Sequence, residues 1–300
     1  NISGVGPPAW AQVHTIGGPC TGAPVWRRPM KIIGLRLSSF VLILLGTTNS
    51  PALAQADSAL VDWPLAVAAA DGVEWRREER IFVAEGDAVA RQGGVTIRAD
   101  RLVAAYRESV SGKLEIFRVD AEGGARVESD GDVATGDRAI FDLDKSTVVF
   151  SGGGLKYANA NSTVTANRTL EYFVKERRAV ARGDARVQDT RGRIAASVIE
   201  ARFQQSGAQA LRTAVATGNV TIVTPDETVR ANRAEYDFIR RMATATGNVR
   251  LARGQNVLTG GKAVIDFKTG ISRMSGSAKA PDGGNGGRVR GLIFPQAKQP

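Results

Sequence analysis

The sequence ATGNVTIVTPDETVRANRAEYDFIRRMATATGNV, residues 216–249, begins and ends on the same five residues, and the two copies are 29 positions apart. The glycine of this phrase has counterparts along most of the chain, at intervals of 29 to 37 residues. The seven anchor glycines are Gly86, Gly123, Gly153, Gly183, Gly218, Gly247 and Gly276. A period of this size indicates stacked copies of one supersecondary unit.

Apolar and polar side chains alternate on both sides of each anchor glycine. In the unit at Gly218, Ala216, Val220 and Ile222 are apolar, whereas Asn219 between them is polar. Strict alternation over about nine residues is typical of a half-buried β-strand. A glycine inside such a strand marks a bend or a bulge. We therefore predict one strand through each anchor, with a kink at the glycine that curves the sheet.

In the six complete units a second strand follows the anchor after about 12 to 18 residues and begins at a small residue. Apolar side chains stand three, five and seven positions after that small residue. Tyr236, for example, is five positions after Ala231. The unit that begins at Ala166 breaks this spacing, because its apolar residues Leu170 and Tyr172 have the opposite parity. We expect a shift of register at that point.

Turn sequences separate these strands, among them Gly93-Gly94, Asp130-Gly131 and Pro225-Asp226. Such Gly-, Asp- and Pro-containing pairs are typical of hairpin connections. No segment keeps a helical period for more than two turns, and a short helix is expected at most within residues 60–80. The sequence therefore predicts an all-β protein with at least twelve strands, arranged as an antiparallel array with a thin, alanine-lined face.

Composition excludes several classes of function. The chain has 300 residues and a formal charge of +10, and the excess beyond residue 55 is +6, too small and too scattered to indicate nucleic acid. The single Cys20 and the single His14 both precede that residue. The part expected to fold therefore offers no Cys nucleophile, disulfide or His-containing metal site. We expect no enzyme activity, no metal and no cofactor; a glycan hydrolase with two carboxylates is the enzymatic alternative.

The N-terminal region resembles an export signal. Residues 30–54 contain a basic start, a short apolar run and the small-residue pattern of a cleavage site, so we expect cleavage between Ala54 and Gln55. An uncleaved membrane anchor is the alternative. Residues 1–29 are interpreted as a non-native upstream extension, residues 55–80 as an N-terminal lead-in, residues 81–280 as the repeat domain and residues 281–300 as a flexible basic tail.

The repeated units resemble those of the OstA/LptA-type lipopolysaccharide-transport proteins. The similarity is clearest in ATGNVTIVTPDETVRANRAEYDF and ATGNVRLARGQNVLTGGKAVIDF, and weaker in ARGDARVQD and AEGGARVESDGDVATGDRAIFDLD. The resemblance implies an open, twisted antiparallel β-jellyroll of two sheets, built from two-strand units of roughly 30 residues. It also implies a periplasmic protein that shields the acyl chains of lipopolysaccharide in a hydrophobic groove.

The partners implied by this resemblance are lipopolysaccharide through its lipid A acyl chains, an LptC-like inner-membrane protein and an LptD-like outer-membrane protein. The proteins would pair through edge strands, with head-to-tail copies of the chain as a further possibility and no nucleic acid. Two other interpretations remain: a membrane-anchored, LptC-like member of the same pathway, and a purely structural β-repeat scaffold or surface protein with a filled core.

The inward-facing positions of the central and C-terminal units are the candidate lining of the groove. These residues are Val127, Ile140, Phe141, Val187, Phe203, Ile222, Tyr236, Phe238, Leu251 and Ile265.

Overall fold

The structure is a computed structural model, and it describes residues 65–110, 112–190, 192–204, 211–269, 271–276 and 287–294. Within these ranges the chain forms strands and turns and no helix, so the all-β prediction is confirmed. No helix in this part is therefore long and apolar enough to span a membrane. The expected export signal at residues 30–54 and the extension before it lie outside the described residues.

Within the described residues, eighteen strands join into one sheet in which every pairing is antiparallel. The strands are β1 (Ala66–Ala68), β2 (Gly72–Arg76), β3 (Ile81–Gln92), β4 (Val95–Glu108), β5 (Leu114–Ser129), β6 (Asp132–Asp142), β7 (Thr147–Ser151), β8 (Lys156–Ala158), β9 (Ser162–Thr165), β10 (Thr169–Phe173), β11 (Arg178–Asp189), β12 (Gly192–Phe203), β13 (Leu211–Val223), β14 (Thr228–Asp237), β15 (Met242–Arg253), β16 (Asn256–Asp266), β17 (Ile271–Ser275) and β18 (Arg290–Leu292).

The two halves of each long strand belong to different layers. The first half of β3 pairs with β2 and its second half with β1. In the same way β6 pairs with β7 and β8, β11 with β10 and β9, and β16 with β17 and β18. We call the half of the sheet that contains β2, β7, β10 and β17 layer A, and the half that contains β1, β8, β9 and β18 layer B.

Five of the seven anchor glycines lie where a strand passes from one layer to the other. The predicted strand through the anchor is wrong at Gly153, which lies in a bend between β7 and β8, and at Gly276, which follows the end of β17. Gly218 has a φ of +81° and the following Asn219 a φ of +50°. The register between β13 and β14 shifts at this point, between Thr217 and Val220. Glycine adopts positive φ without a steric penalty, and asparagine does so more readily than most residues. The repeated Gly-Asn phrase is therefore a β-bulge, and the predicted kink is confirmed.

The same bulge recurs along the sheet with only small changes in backbone angle. The pairs Gly86-Asp87, Gly123-Gly124, Gly183-Asp184 and Gly247-Asn248 all have positive φ at both residues. Each of these four pairs also lies at a register shift. The same two-residue bulge therefore bends β3, β5, β11, β13 and β15 at corresponding points.

The bent strands enclose a common core. One cluster of buried side chains contains Ala84 and Phe150 from layer A together with Ala88 and Val127 from layer B. Most members at the bends are alanines, and Ala88 has 0% of its surface exposed. Small residues let the two layers approach closely at the bend. The arrangement is the predicted two-layer antiparallel jellyroll.

Of two local predictions, the register shift near Ala166 is confirmed and the short helix before residue 81 is not. The expected register shift in the unit at Ala166 is confirmed, because Leu170 is buried and packs in the core. The expected short helix is wrong for residues 65–80, which form β1, β2 and turns instead. Both strands pair with β3, so the sheet includes part of the segment assigned above to a lead-in.

The assigned tail also contributes to the sheet. Its described part includes β18, where Leu292 pairs with Val257 of β16. β17 and β18 therefore complete the C-terminal edge of the sheet, as β2 and β1 do at the N-terminal edge.

Candidate lipid-binding interior

Nine of the ten predicted lining residues lie on the inner face of the two layers. Val127, Val187, Ile222, Leu251, Tyr236 and Ile265 are buried members of the common core, Phe141 and Phe238 pack against that core half-buried, and Phe203 contacts the ring of Tyr172. The alternation read from the sequence therefore brings distant units to one interior.

Ile140 lies on the other face. It stands between Ala139, which has 0% exposure, and Phe141, which packs against the core. Because successive residues of a strand point to opposite faces, the side chain of Ile140 points away from the interior. Its assignment to the groove lining does not agree with this register, whereas that of Phe141 does.

Layer A provides an aromatic inner surface. Near the N-terminal edge, the rings of Trp75 and Phe82 stack at 5.5 Å, and Trp75 Nε1 donates a hydrogen bond of 2.8 Å to the hydroxyl of Tyr106. Near the C-terminal edge, the ring of Tyr236 lies 4.4 Å from Phe238 and 5.7 Å from Phe267. Offset and edge-to-face ring pairs of this kind stabilise the face that they line.

Sequence reasoning missed several of these rings, although a signal for them existed. Tyr106 and Phe267 occupy the seventh position after the start of the second strand, where Phe238 also stands. Phe82 stands four residues before Gly86. Extending the predicted lining to these two equivalent positions would have included all three.

Layer B provides an aliphatic inner surface that ends in polar groups beside the hairpin turns. Val187, Ile222, Val229 and Leu251 form its apolar part, and all four are buried. Two polar contacts lie nearer the turns. The Tyr157 hydroxyl donates a hydrogen bond of 2.6 Å to Asp132, and Arg253 Nε lies 3.5 Å from Glu227 Oε1.

Access to this interior differs along each strand. Ala88, Ala125 and Val220, which lie beside the bends, are 0%, 1% and 1% exposed, so the layers are packed together there. Phe141, Phe203, Phe238 and Phe267 are half-buried and lie towards the strand ends. An apolar ligand would therefore meet the aromatic residues first and would have to separate the layers to enter further.

Glu227 is the most unusual polar residue of this interior. Its side chain has 0% exposure, and within the described residues neither carboxylate oxygen accepts a hydrogen bond. Burial raises the pKa of Glu227, and the nearby charge of Arg253 opposes this effect only in part. The folded protein therefore favours the protonated form of this carboxyl more than the unfolded chain does.

We predict that this carboxyl destabilises the fold as the pH rises. Because its folded pKa is raised, the stability from the protonated form is present below the unfolded value of about 4.3. It is lost as the pH rises through the folded pKa. In urea unfolding between about pH 4 and pH 8, Glu227→Gln should gain stability relative to the wild type as the pH increases. Curves that stay parallel would contradict this prediction.

Glu235→Gln is the matched control for this series. Glu235 lies on the outer face of β14, the strand that directly follows Glu227, where it forms an ion pair of 2.9 Å with Arg233 and keeps 46% of its side chain exposed. Exposed ion pairs contribute little to stability, so this variant should keep a nearly constant offset from the wild type.

A protein-family model describes part of this chain. Residues 68–207, which include β2 to β12, match the family described as LptA/(LptD N-terminal domain) LPS transport protein. Over these residues, slightly less than half of its length, the chain is similar to the LptA/LptD N-terminal domain family. The family is one of lipopolysaccharide-transport proteins, as the repeat resemblance predicted. The match covers the N-terminal part of the sheet, and the repeat pattern continues beyond it through β16.

Comparisons with individual proteins add a structural similarity. No curated protein sequence matches the chain. Among solved structures, the chain is similar to LptH, described as the LptA homologous periplasmic component of the conserved lipopolysaccharide transport device from Pseudomonas aeruginosa. The two share 17% sequence identity with a TM-score of 0.37, over 45% of this chain and 95% of that one. The similarity to the LptA/LptD N-terminal domain family rests on the family model over residues 68–207.

Proposed function

We propose that this protein is an LptA-type periplasmic carrier that holds the acyl chains of lipopolysaccharide between layers A and B. The observation that supports this function best is the shared apolar interior, with half-buried aromatic residues towards the strand ends and buried aliphatic residues behind them. Each methylene group removed from water contributes about 0.8 kcal/mol, so a lipid with several acyl chains requires such a surface to cross an aqueous space.

The two edges of the sheet suit the bridging role. The N-terminal edge exposes Val73 and Trp75, and the C-terminal edge exposes Ile271 and Leu292. Edge strands with free backbone groups can add a strand from another protein. In this proposal one edge binds an LptC-like inner-membrane partner, the other binds an LptD-like outer-membrane partner, and head-to-tail copies extend the bridge.

Export to the periplasm would use residues 30–54 as a signal, with cleavage between Ala54 and Gln55. The half-buried aromatic residues favour a carrier over a structural scaffold, because a filled core has no reason to place large rings at its accessible margin. Lipid uptake distinguishes the two functions directly.

The test is a pair of photo-crosslinkers on adjacent residues at the end of β14. A crosslinker at Phe238, on the inner face, should capture lipopolysaccharide in cells. A crosslinker at Asp237, whose side chain hydrogen-bonds the turn backbone, should capture little or none. Mass spectrometry of lipid that co-purifies with the chain provides a second measurement. Equal capture at both positions, or none at Phe238, would reject a lipid-binding interior.

A further inference from the structure

The outer face of layer B carries a continuous row of basic residues. Seven members of the row are Arg98, Arg126, Lys156, Arg186, Arg230, Arg250 and Arg290. Each of the first six stands between two residues of the inner face, as Arg250 does between Val249 and Leu251, so its side chain points outward. Lys156, Arg186, Arg230, Arg250 and Arg290 are exposed, and the other two are half-buried.

Strand register places these residues in one line across the sheet. Neighbouring positions pair directly in the order Arg98, Arg126, Thr135, Lys156, Thr165, Arg186, Ala195, Thr221, Arg230, Arg250, Thr259 and Arg290. The intervening residues are Thr or Ala, so no carboxylate occurs at any position of the row. With a spacing of about 4.8 Å between strands, the row is about 50 Å long.

Two pairs within this basic row place like charges directly opposite each other. Arg98 pairs with Arg126 and Arg230 pairs with Arg250 in the antiparallel register. Like charges at directly opposite positions destabilise a sheet. Of the seven basic residues, only Arg126 has an ion pair within the described part of the chain, at 2.7 Å from Glu128. The row therefore concentrates positive charge that its own sheet does not neutralise.

The outer face of layer A shows how the same fold neutralises arginine. There Glu85, Arg101, Glu122 and Arg138 also follow one another across the strands. Arg101 lies 2.9 Å from Glu85 and 3.1 Å from Glu122, and Arg138 lies 3.3 Å from Glu122. On the outer face of layer A, each of these arginines is therefore neutralised by a glutamate on a neighbouring strand. The outer face of layer B has no such alternation of positive and negative charges along the basic row.

We propose that this basic row binds a linear polyanion that carries phosphate groups. Guanidinium groups bind phosphate oxygens through paired hydrogen bonds, and a row of them favours a ligand with repeated charges. Neighbouring strands of a sheet are rotated by about 20° to 25°, so a row that crosses from β4 to β18 winds around the sheet. A flexible chain can follow such a path, whereas a flat bilayer can touch only part of it.

This site is separate from the proposed lipid-binding interior. The basic residues alternate with the inner-face residues along each strand, so the two surfaces lie on opposite sides of layer B. Binding of a polyanion therefore tests the outer face alone, whatever the outcome for lipid in the interior.

Two charge reversals on one strand test the proposal. Arg230 lies on β14 in layer B, and Arg233 lies on the same strand in layer A with an ion pair to Glu235. Arg230→Glu and Arg233→Glu change the net charge equally. At low salt, Arg230→Glu should weaken binding of long-chain polyphosphate at least about fivefold, whereas Arg233→Glu should change it less than about twofold.

Thermal unfolding shows whether a weakened variant is still folded. Arg230→Glu places a carboxylate opposite Arg250, so its Tm should equal or exceed that of the wild type. Weaker binding with an equal or higher Tm supports the site. Tripolyphosphate should bind more weakly than the long chain, because it spans fewer basic residues.

Three results would overturn the proposal. Equal effects of Arg230→Glu and Arg233→Glu would attribute binding to net charge. Equal affinity for tripolyphosphate and long-chain polyphosphate would exclude a row that acts as one surface. Tighter, Arg230-dependent binding to vesicles with anionic lipid than to polyphosphate would assign this face to a membrane surface instead.

Discussion

Replacing Gly218 by alanine should lower the free energy of unfolding by about 3 kcal/mol, because this position combines a left-handed backbone with a close neighbour. Gly218 has a φ of +81°, and a Cβ added there would lie 2.6 Å from the Oγ of Ser197 and 2.8 Å from its Cβ. Alanine would therefore strain the backbone and push β12 away at the bend. Urea unfolding of the purified chain measures the loss.

Gly254→Ala is the matched control for Gly218→Ala. Gly254 also has positive φ, at +54°, but a Cβ added there meets no atom within 4 Å. Replacing Gly254 by alanine should lower the free energy of unfolding only by the cost of a left-handed backbone at a residue with a Cβ, about 1 kcal/mol. Adding Ser197→Gly to Gly218→Ala should recover part of the loss by removing the contacted side chain. Equal losses at Gly218 and Gly254 would show that close approach at the bend does not constrain the fold.

The bends also show how far local sequence can predict this fold. The repeated phrase predicted a strand through each glycine with a kink, because alternation continues on both sides of Gly218. It did not predict that Asn219 is left-handed as well, or that β13 changes from one layer to the other there. Layer membership is a property of strand pairing, and alternation within one strand carries no information about its partners.

The short strands set a second limit on how much of the fold could be predicted from the sequence. β1 has three residues and β18 has three, which is too few for a period to be distinguished from chance. Both strands complete an edge of the sheet through pairing with a long neighbour. Their positions follow from the edges of β3 and β16, and their own residues contain no signal that would separate them from a loop.

The candidate interior was predictable where parity was clear and ambiguous where two apolar residues are adjacent. Ile140 and Phe141 are such a pair, and only the burial of Ala139 decides which one faces inward. The basic row on layer B left a partial signal in the sequence, because Arg126, Lys156, Arg186 and Arg250 each stand three residues after an anchor glycine. Successive members that do not pair directly are 30 to 44 positions apart in sequence, so only the strand register shows that they form one surface.

Replacing Phe238 by aspartate should reduce the lipopolysaccharide that co-purifies with the chain at least about tenfold. A tenfold loss corresponds to about 1.4 kcal/mol, which is less than the cost of bringing a carboxylate into contact with acyl chains. Phe238 packs against the core and lies 4.4 Å from the ring of Tyr236, so the new charge would stand on the inner face. The lipid is quantified by mass spectrometry after purification in parallel with the wild type.

The next residue provides the control for Phe238→Asp. Ile239 lies in the turn with 56% of its surface exposed, so Ile239→Asp introduces the same charge outside the interior and should leave the bound lipid unchanged. Phe238→Leu keeps an apolar side chain and should retain most of the lipid. Circular dichroism of each variant must show the strand content of the wild type. If folded Phe238→Asp retains as much lipid as Ile239→Asp, acyl chains do not bind beside the aromatic residues of layer A.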